Sequence, residues 1–105
     1  MTLTFHRVLG ASLALAAFVA PAQPVAETLR MRSLAATCTQ CHGTEGRAVP
    51  GETMVRLAGL PKDYIAAQMR AFRDGQRPAT VMHQLAKGYG DAQIDALAAY
   101  FAAVE

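Results

Sequence analysis

The stretch Cys38-Thr39-Gln40-Cys41-His42 decides the reading of this chain. Its cysteines are the two that the sequence contains, and a histidine follows the second directly. On a helical turn, positions i, i+3 and i+4 share one face. Two thiols at that spacing can each add to a vinyl group of one macrocycle, and the next imidazole then arrives under its metal. This C-x-x-C-H pattern is the attachment signature of a c-type haem. A thioredoxin-type pair would need a βαβ setting, and no strand pattern is present. A zinc site would need a second Cys or His pair, and none follows at suitable spacing. With only two cysteines, a disulfide framework is excluded.

Upstream of the motif, Met31, Leu34, Ala35 and Cys38 fall at i, i+3, i+4 and i+7, with Arg30 and Arg32 off the stripe. This predicts an amphipathic helix over 27–37 whose apolar face runs into the first thiol. Further upstream lies a different kind of segment. Val8 to Ala20 is an unbroken run of apolar and small residues, preceded by His6 and Arg7 and followed by Ala20-Pro21-Ala22. It is shorter than the roughly 18–20 residues that cross a bilayer. It reads as a secretory signal peptide, residues 1–22, cleaved after Ala22 or alternatively after Ala26. The other reading is an N-terminal membrane anchor. The expected domain is 23–105, exported to the periplasm with no membrane span after cleavage.

Downstream, glycines and prolines from Gly43 to Gly59 mark a loop. Ile65, Met69 and Phe72, with Tyr64 and Gln68 beside them, predict a helix over 61–74 that opens on Pro61 and stops at Gly75. A second loop, Gln76 to Thr80, leads to a short helix over 80–87. Asp91 is the expected N-cap of a last helix over 92–103, on which Ile94, Leu97, Ala98 and Phe101 repeat at helical spacing. The fold class is all-α. Three main helices and short helical turns wrap one covalently bound haem.

Composition agrees. In 105 residues, hydrophobic types make up 52% but aromatics only 7%, with no Trp. Small domains need a staple, and a chain this poor in large side chains needs something else at its centre. The balance of 10 Lys+Arg against 8 Asp+Glu gives a formal charge of +2, too slight for a nucleic-acid binder. Arg70, Arg73, Arg77 and Lys87 cluster near the second loop. They read as the solvated face of a helix and loop rather than as a docking surface.

A haem iron held by His42 takes a sixth ligand or stays open. Met31 and Met69 sit on buried stripes, and Met54 lies close behind the motif. Met82 follows a loop far along the chain and precedes the last helix, so the chain can wrap the haem edge and return on the far side. Met82 is the expected axial ligand. The adjacent His83 is the alternative, or else a surface histidine beside the ligand. Methionine ligation raises the reduction potential, which suits an electron acceptor.

C-x-x-C-H early in the domain, a distant Met and a terminal amphipathic helix together resemble a class I cytochrome c over Gln23 to Glu105. Within it, Leu57-Ala58-Gly59-Leu60-Pro61, Tyr64, Ala71-Phe72-Arg73-Asp74-Gly75 and Arg77-Pro78-Ala79-Thr80-Val81-Met82-His83 resemble the monohaem cytochrome subunit of flavocytochrome c sulfide dehydrogenase. Ala86-Lys87-Gly88-Tyr89 and Ala96-Leu97-Ala98-Ala99-Tyr100-Phe101-Ala102 extend that likeness. The resemblance implies an electron-transfer subunit, not an enzyme by itself. A separate FAD-containing subunit oxidises sulfide and reduces this haem, which then reduces another cytochrome c. A free monohaem shuttle to an oxidase or reductase is the alternative. A haem sensor or peroxidase-like enzyme with an open distal site is a third. Related cytochromes often place a proline two residues before the Leu-Ala-Gly segment, and its carbonyl orients the proximal histidine. Val55 stands there in this chain.

Overall fold

The computed structural model describes residues 23–105; the expected signal peptide lies outside the described residues. Four α-helices follow in order: α1 (Gln23–His42), α2 (Lys62–Arg73), α3 (Met82–Leu85) and α4 (Asp91–Ala102). Single 3-10 turns at Thr44–Gly46 and Ala86–Gly88 complete them, and no strand occurs among the described residues. The expected all-α plan of three main helices and short turns is therefore the observed one.

Two boundaries differ from the sequence reading. Helix α1 starts at Gln23 and runs through the cysteine motif to His42, beyond the expected 27–37. Its first two turns are exposed, with an Arg30–Glu27 ion pair of 2.8 Å on their surface. Gly43 ends it at φ 84, a conformation that costs other residues strain. Helix α4 is capped by Gly90 rather than Asp91. The Gln93 side chain accepts the Gly90 N–H at 3.0 Å. Asp91 becomes the first helical residue and turns to α2 instead. Its carboxylate accepts from Arg73 at 2.9 Å and from Arg70 at 3.3 Å. Arg70 also reaches Asp95 at 2.8 Å. These ion pairs pin α2 against α4.

The core sits between α1, α2 and α4. Ile94, Leu97, Ala98 and Phe101, the predicted stripe of α4, are all buried. They meet Ile65 and Ala66 of α2 and Ala35 of α1. Ile94, Leu97 and Phe101 are the largest fully buried side chains, and burying each contributes roughly 1.5–3 kcal/mol. The remaining buried apolar residues are alanines, Ala58 and Ala86 among them.

The loop behind the motif is folded back onto the core by its backbone. Gly46 O accepts from the N–H groups of Leu57 and Ala58 at 2.8 and 3.1 Å, and Gly59 N–H donates to Phe101 O at 2.9 Å. Gly46 is itself buried at φ 74. A Cβ there would lie 2.8 Å from Cδ1 of the Phe101 ring, so the approach admits only glycine.

Candidate functional site

A cavity of about 360 Å³ opens between α1, α2, α3 and the loop behind the motif. That volume lies in the range of small-molecule and cofactor sites. The last turn of α1 brings Cys38, Cys41 and His42 to its wall together. From α2, Tyr64, Ile65, Gln68, Met69 and Phe72 face it, which is the helical spacing read from sequence. The second loop and α3 supply Arg77, Thr80, Val81, Met82 and Leu85.

His42 is held in one orientation. Its Nδ1–H donates to the Val55 carbonyl at 2.6 Å, so the lone pair resides on Nε2. The acceptor is backbone, so the bond does not depend on the Val55 side chain.

Cys38 is half-buried and Cys41 exposed, and the two are not joined in a disulfide. Burial pushes the Cys38 thiol up from its ordinary pKa, against a weaker opposing contact from the Thr37 hydroxyl. Thr37 fixes this turn from behind. Its hydroxyl donates to the Leu34 carbonyl at 2.9 Å, so Tyr89 is the donor in the 2.7 Å Tyr89–Thr37 bond. That bond joins the attachment turn to the segment just before α4.

Three methionines reach the cavity wall: Met54, Met69 and Met82. From its place in the sequence, Met54 is expected to lie too close behind the motif to cross to the far face. The loop returns far enough to place Met54 at the wall, next to Val55 and so on the His42 side. Met31 is half-buried and off the wall, and Met69 packs against the core cluster as expected. His83 does not line the cavity. It is half-buried rather than a surface residue, and its buried Nδ1 has no hydrogen-bond partner among the described residues.

The arginine cluster divides. Arg70 and Arg73 are bound into the α2–α4 ion pairs, whereas Arg77 lines the cavity. Nothing in their order along the chain distinguishes them.

The cavity fits a flat apolar group carrying a metal. Met54, Val55, Tyr64, Val81 and Leu85 are large hydrophobic residues left about half exposed, between 47% and 58%, and all five line it. A macrocycle bonded to Cys38 and Cys41 would cover them and bring its iron to His42. Among the described residues, no helix is long and apolar enough to cross a membrane. No cluster of three or more His, Cys, Asp or Glu for a separate metal ion occurs among them either.

Comparison with known proteins agrees with this geometry. The profile of the cytochrome c family matches residues 31–105. The chain is 48% identical over 67 residues to a thiosulfate dehydrogenase electron acceptor of Thiomonas intermedia (strain K12), covering 64% of this chain and 31% of that protein. It is 36% identical over 72 residues to cytochrome c-554(548) of Halomonas halodenitrificans, covering 66% and 86% respectively. It is 35% identical over 79 residues to the cytochrome subunit of sulfide dehydrogenase of Chlorobaculum tepidum, covering 75% and 69%. The chain thus spans about a third of the Thiomonas protein's length.

Proposed function

The chain belongs to the cytochrome c family, and from that premise we propose that it is a periplasmic electron carrier with one haem c, reduced by a flavin-containing subunit that oxidises sulfide. Proteins of this family are electron carriers with covalently bound haem c. In this reading Cys38 and Cys41 would form two thioether bonds to the haem, and His42 and Met82 would hold its iron. The haem, when bound, supplies one-electron exchange between ferric and ferrous iron. The chain's own residues hold it, orient it and keep water from it.

The observation that carries the assignment is the shared cavity. Cys38, Cys41, His42 and Met82 lie on one apolar wall, with His42 oriented by Val55. Met82 is favoured over Met54 because Met54 adjoins Val55 on the His42 side, and over Met69 because Met69 is packed into the core. His83 is off the wall. Its absence there weighs against a bis-histidine site.

The flavin partner is supported by the likeness to the sulfide dehydrogenase subunit of Chlorobaculum tepidum. The chain carries neither cysteine beyond Cys38 and Cys41 nor a glycine-rich dinucleotide signature, so two-electron sulfide chemistry belongs to another subunit. Another cytochrome c is the acceptor. A second reading has its own observation. The 48% identity to a thiosulfate dehydrogenase electron acceptor favours a free shuttle that takes electrons from a dehydrogenase and docks only briefly.

Mixing the purified holoprotein with the flavin subunit and sulfide tests the choice. Rapid haem reduction that requires the flavin subunit, together with stable co-elution, supports the first reading. Reduction without co-elution supports the shuttle. Fast saturable sulfide turnover by the isolated holoprotein overturns both.

A further inference from the structure

The cavity wall carries one lysine or arginine, Arg77, and no aspartate or glutamate. An uncompensated guanidinium at the edge of an apolar cavity is costly unless an anion joins it. Arg70 and Arg73 have such partners in Asp91, Asp95 and Asp74. Arg77 has no carboxylate within ion-pair distance among the described residues, and yet its position is tightly specified.

Four contacts specify it. The backbone N–H groups of Gln76 and Arg77 both donate to Ala71 O, at 2.8 and 3.1 Å, which locks the loop to the end of α2. Pro78 follows and restricts Arg77 to extended backbone. The guanidinium carbon lies 4.6 Å from the centroid of the Phe72 ring, a cation–π distance. Its Nη1 donates to Gln68 Oε1. Phe72 and Gln68 are themselves on the cavity wall, one turn apart on α2. The guanidinium is therefore held at the wall by two neutral groups, and its remaining N–H donors have no partner among the described residues. A planar fork held in this way suits bidentate binding of a carboxylate.

We propose that Arg77, clamped by Phe72 and Gln68, pairs with a propionate carboxylate of the haem in this cavity and so orients that edge of the group. This rests on the haem reading above. Arg77 neutralises a negative charge that would otherwise favour ferric over ferrous iron. The other titratable groups on the wall are the Cys38 and Cys41 thiols and His42, which the haem reading assigns to attachment and iron, and the Tyr64 and Tyr89 phenols. Lys87, His83 and Asp74 lie nearby along the chain but are off the wall.

Potentiometric titration of the holoprotein from pH 5 to 8 tests the pairing. Arg77→Gln should raise the ferric-to-ferrous ratio at a fixed ambient potential several-fold, because a positive charge that disfavours the extra charge of ferric iron is removed. It should also introduce a fall in potential with rising pH that is weak or absent in the wild type, because a carboxyl left without its cation beside an apolar wall holds its proton to higher pH. Arg77→Lys, which keeps the charge and loses the fork, should fall between the two. Lys87→Gln removes the same charge from an exposed site and should leave the curve unchanged. Arg77→Gln and Arg77→Lys curves that both superimpose on the wild type overturn the proposal. If Arg77→Gln does not accumulate, the Arg77→Lys curve decides alone. Wild-type protein without thioether-bound haem would sink the haem reading itself, and this proposal with it.

Discussion

The Nδ1 of His42 lies 2.6 Å from the carbonyl oxygen of Val55, thirteen positions further along the chain. Because the acceptor is main chain, the bond is insensitive to which side chain stands there. Val55→Ala and Val55→Pro should both keep haem attached and leave the reduction potential close to that of the wild type. A slowly exchanging Nδ1 proton in the ¹H NMR spectrum of the ferrous protein checks this. Loss of that proton in Val55→Ala would mean that the valine side chain, not the carbonyl, sets the loop.

Attachment has a simple readout. If Cys38 and Cys41 each form a thioether, acid–acetone extraction should leave all the haem on the polypeptide. Cys41→Ala should retain it through one bond, in lower yield. His42→Ala should lose most folded protein, since ligand binding and folding are linked.

Replacing Met82 separates it from its neighbours on the wall. Met82→Ala should leave haem attached and the protein helical, open the iron to cyanide or carbon monoxide, and lower the potential. Met54→Ala and Met69→Ala should do neither, although Met69→Ala should destabilise by about 2–5 kcal/mol as a methionine packed on the core. Opening of the iron by Met54→Ala instead would reverse the assignment of sides.

Two glycines with nearly the same φ should respond differently. Gly75→Ala, at φ 75 with nothing near its Cβ, carries only the backbone penalty, about 1 kcal/mol. Gly46→Ala, at φ 74, adds a 2.8 Å clash with the Phe101 ring and should cost at least about 2 kcal/mol more. Thermal melts of the holoprotein compare them. Equal melting temperatures would show that the ring moves aside freely.

Asp91 predicts a pH effect. Hydrogen bonds from Arg73 and then Arg70 hold its carboxyl below the ordinary value of 3.8. A carboxyl lowered in the folded state stabilises it above the unfolded pKa, and that contribution is lost as pH falls through the folded value. Stability should therefore drop below about pH 4 in the wild type. Asp91→Asn should be less stable at neutral pH and should flatten this dependence. Its persistence unchanged in Asp91→Asn would assign it to other carboxylates.

The helical stripes were legible because their spacing is local. Met31, Leu34, Ala35 and Cys38 on α1, and Ile94, Leu97, Ala98 and Phe101 on α4, are buried or half-buried as their periods require. What eluded the sequence depends on partners distant along the chain. Asp91 looks like an N-cap, but Arg70 and Arg73 claim its carboxylate across the α2–α4 contact. Met54 reads only as lying close behind the motif, and its place at the wall depends on the bonds from Leu57 and Ala58 to Gly46 that turn its loop back. Arg77 looks like one member of a cationic face. Only the hold of Ala71 O on the second loop turns it the other way.

Among the described residues, five of the nine buried apolar ones are alanines, and Ile65, Leu97 and Phe101 border an opening. A polypeptide packed so lightly has little to distinguish its compact form from its unravelled one until the opening is filled. Pigment acquisition and durability then become a single event in the life of the molecule. Copies that miss the attachment step should stay vulnerable to proteases, and completed copies should persist. The coloured population would in this way be purged of its failures without any dedicated recognition of them.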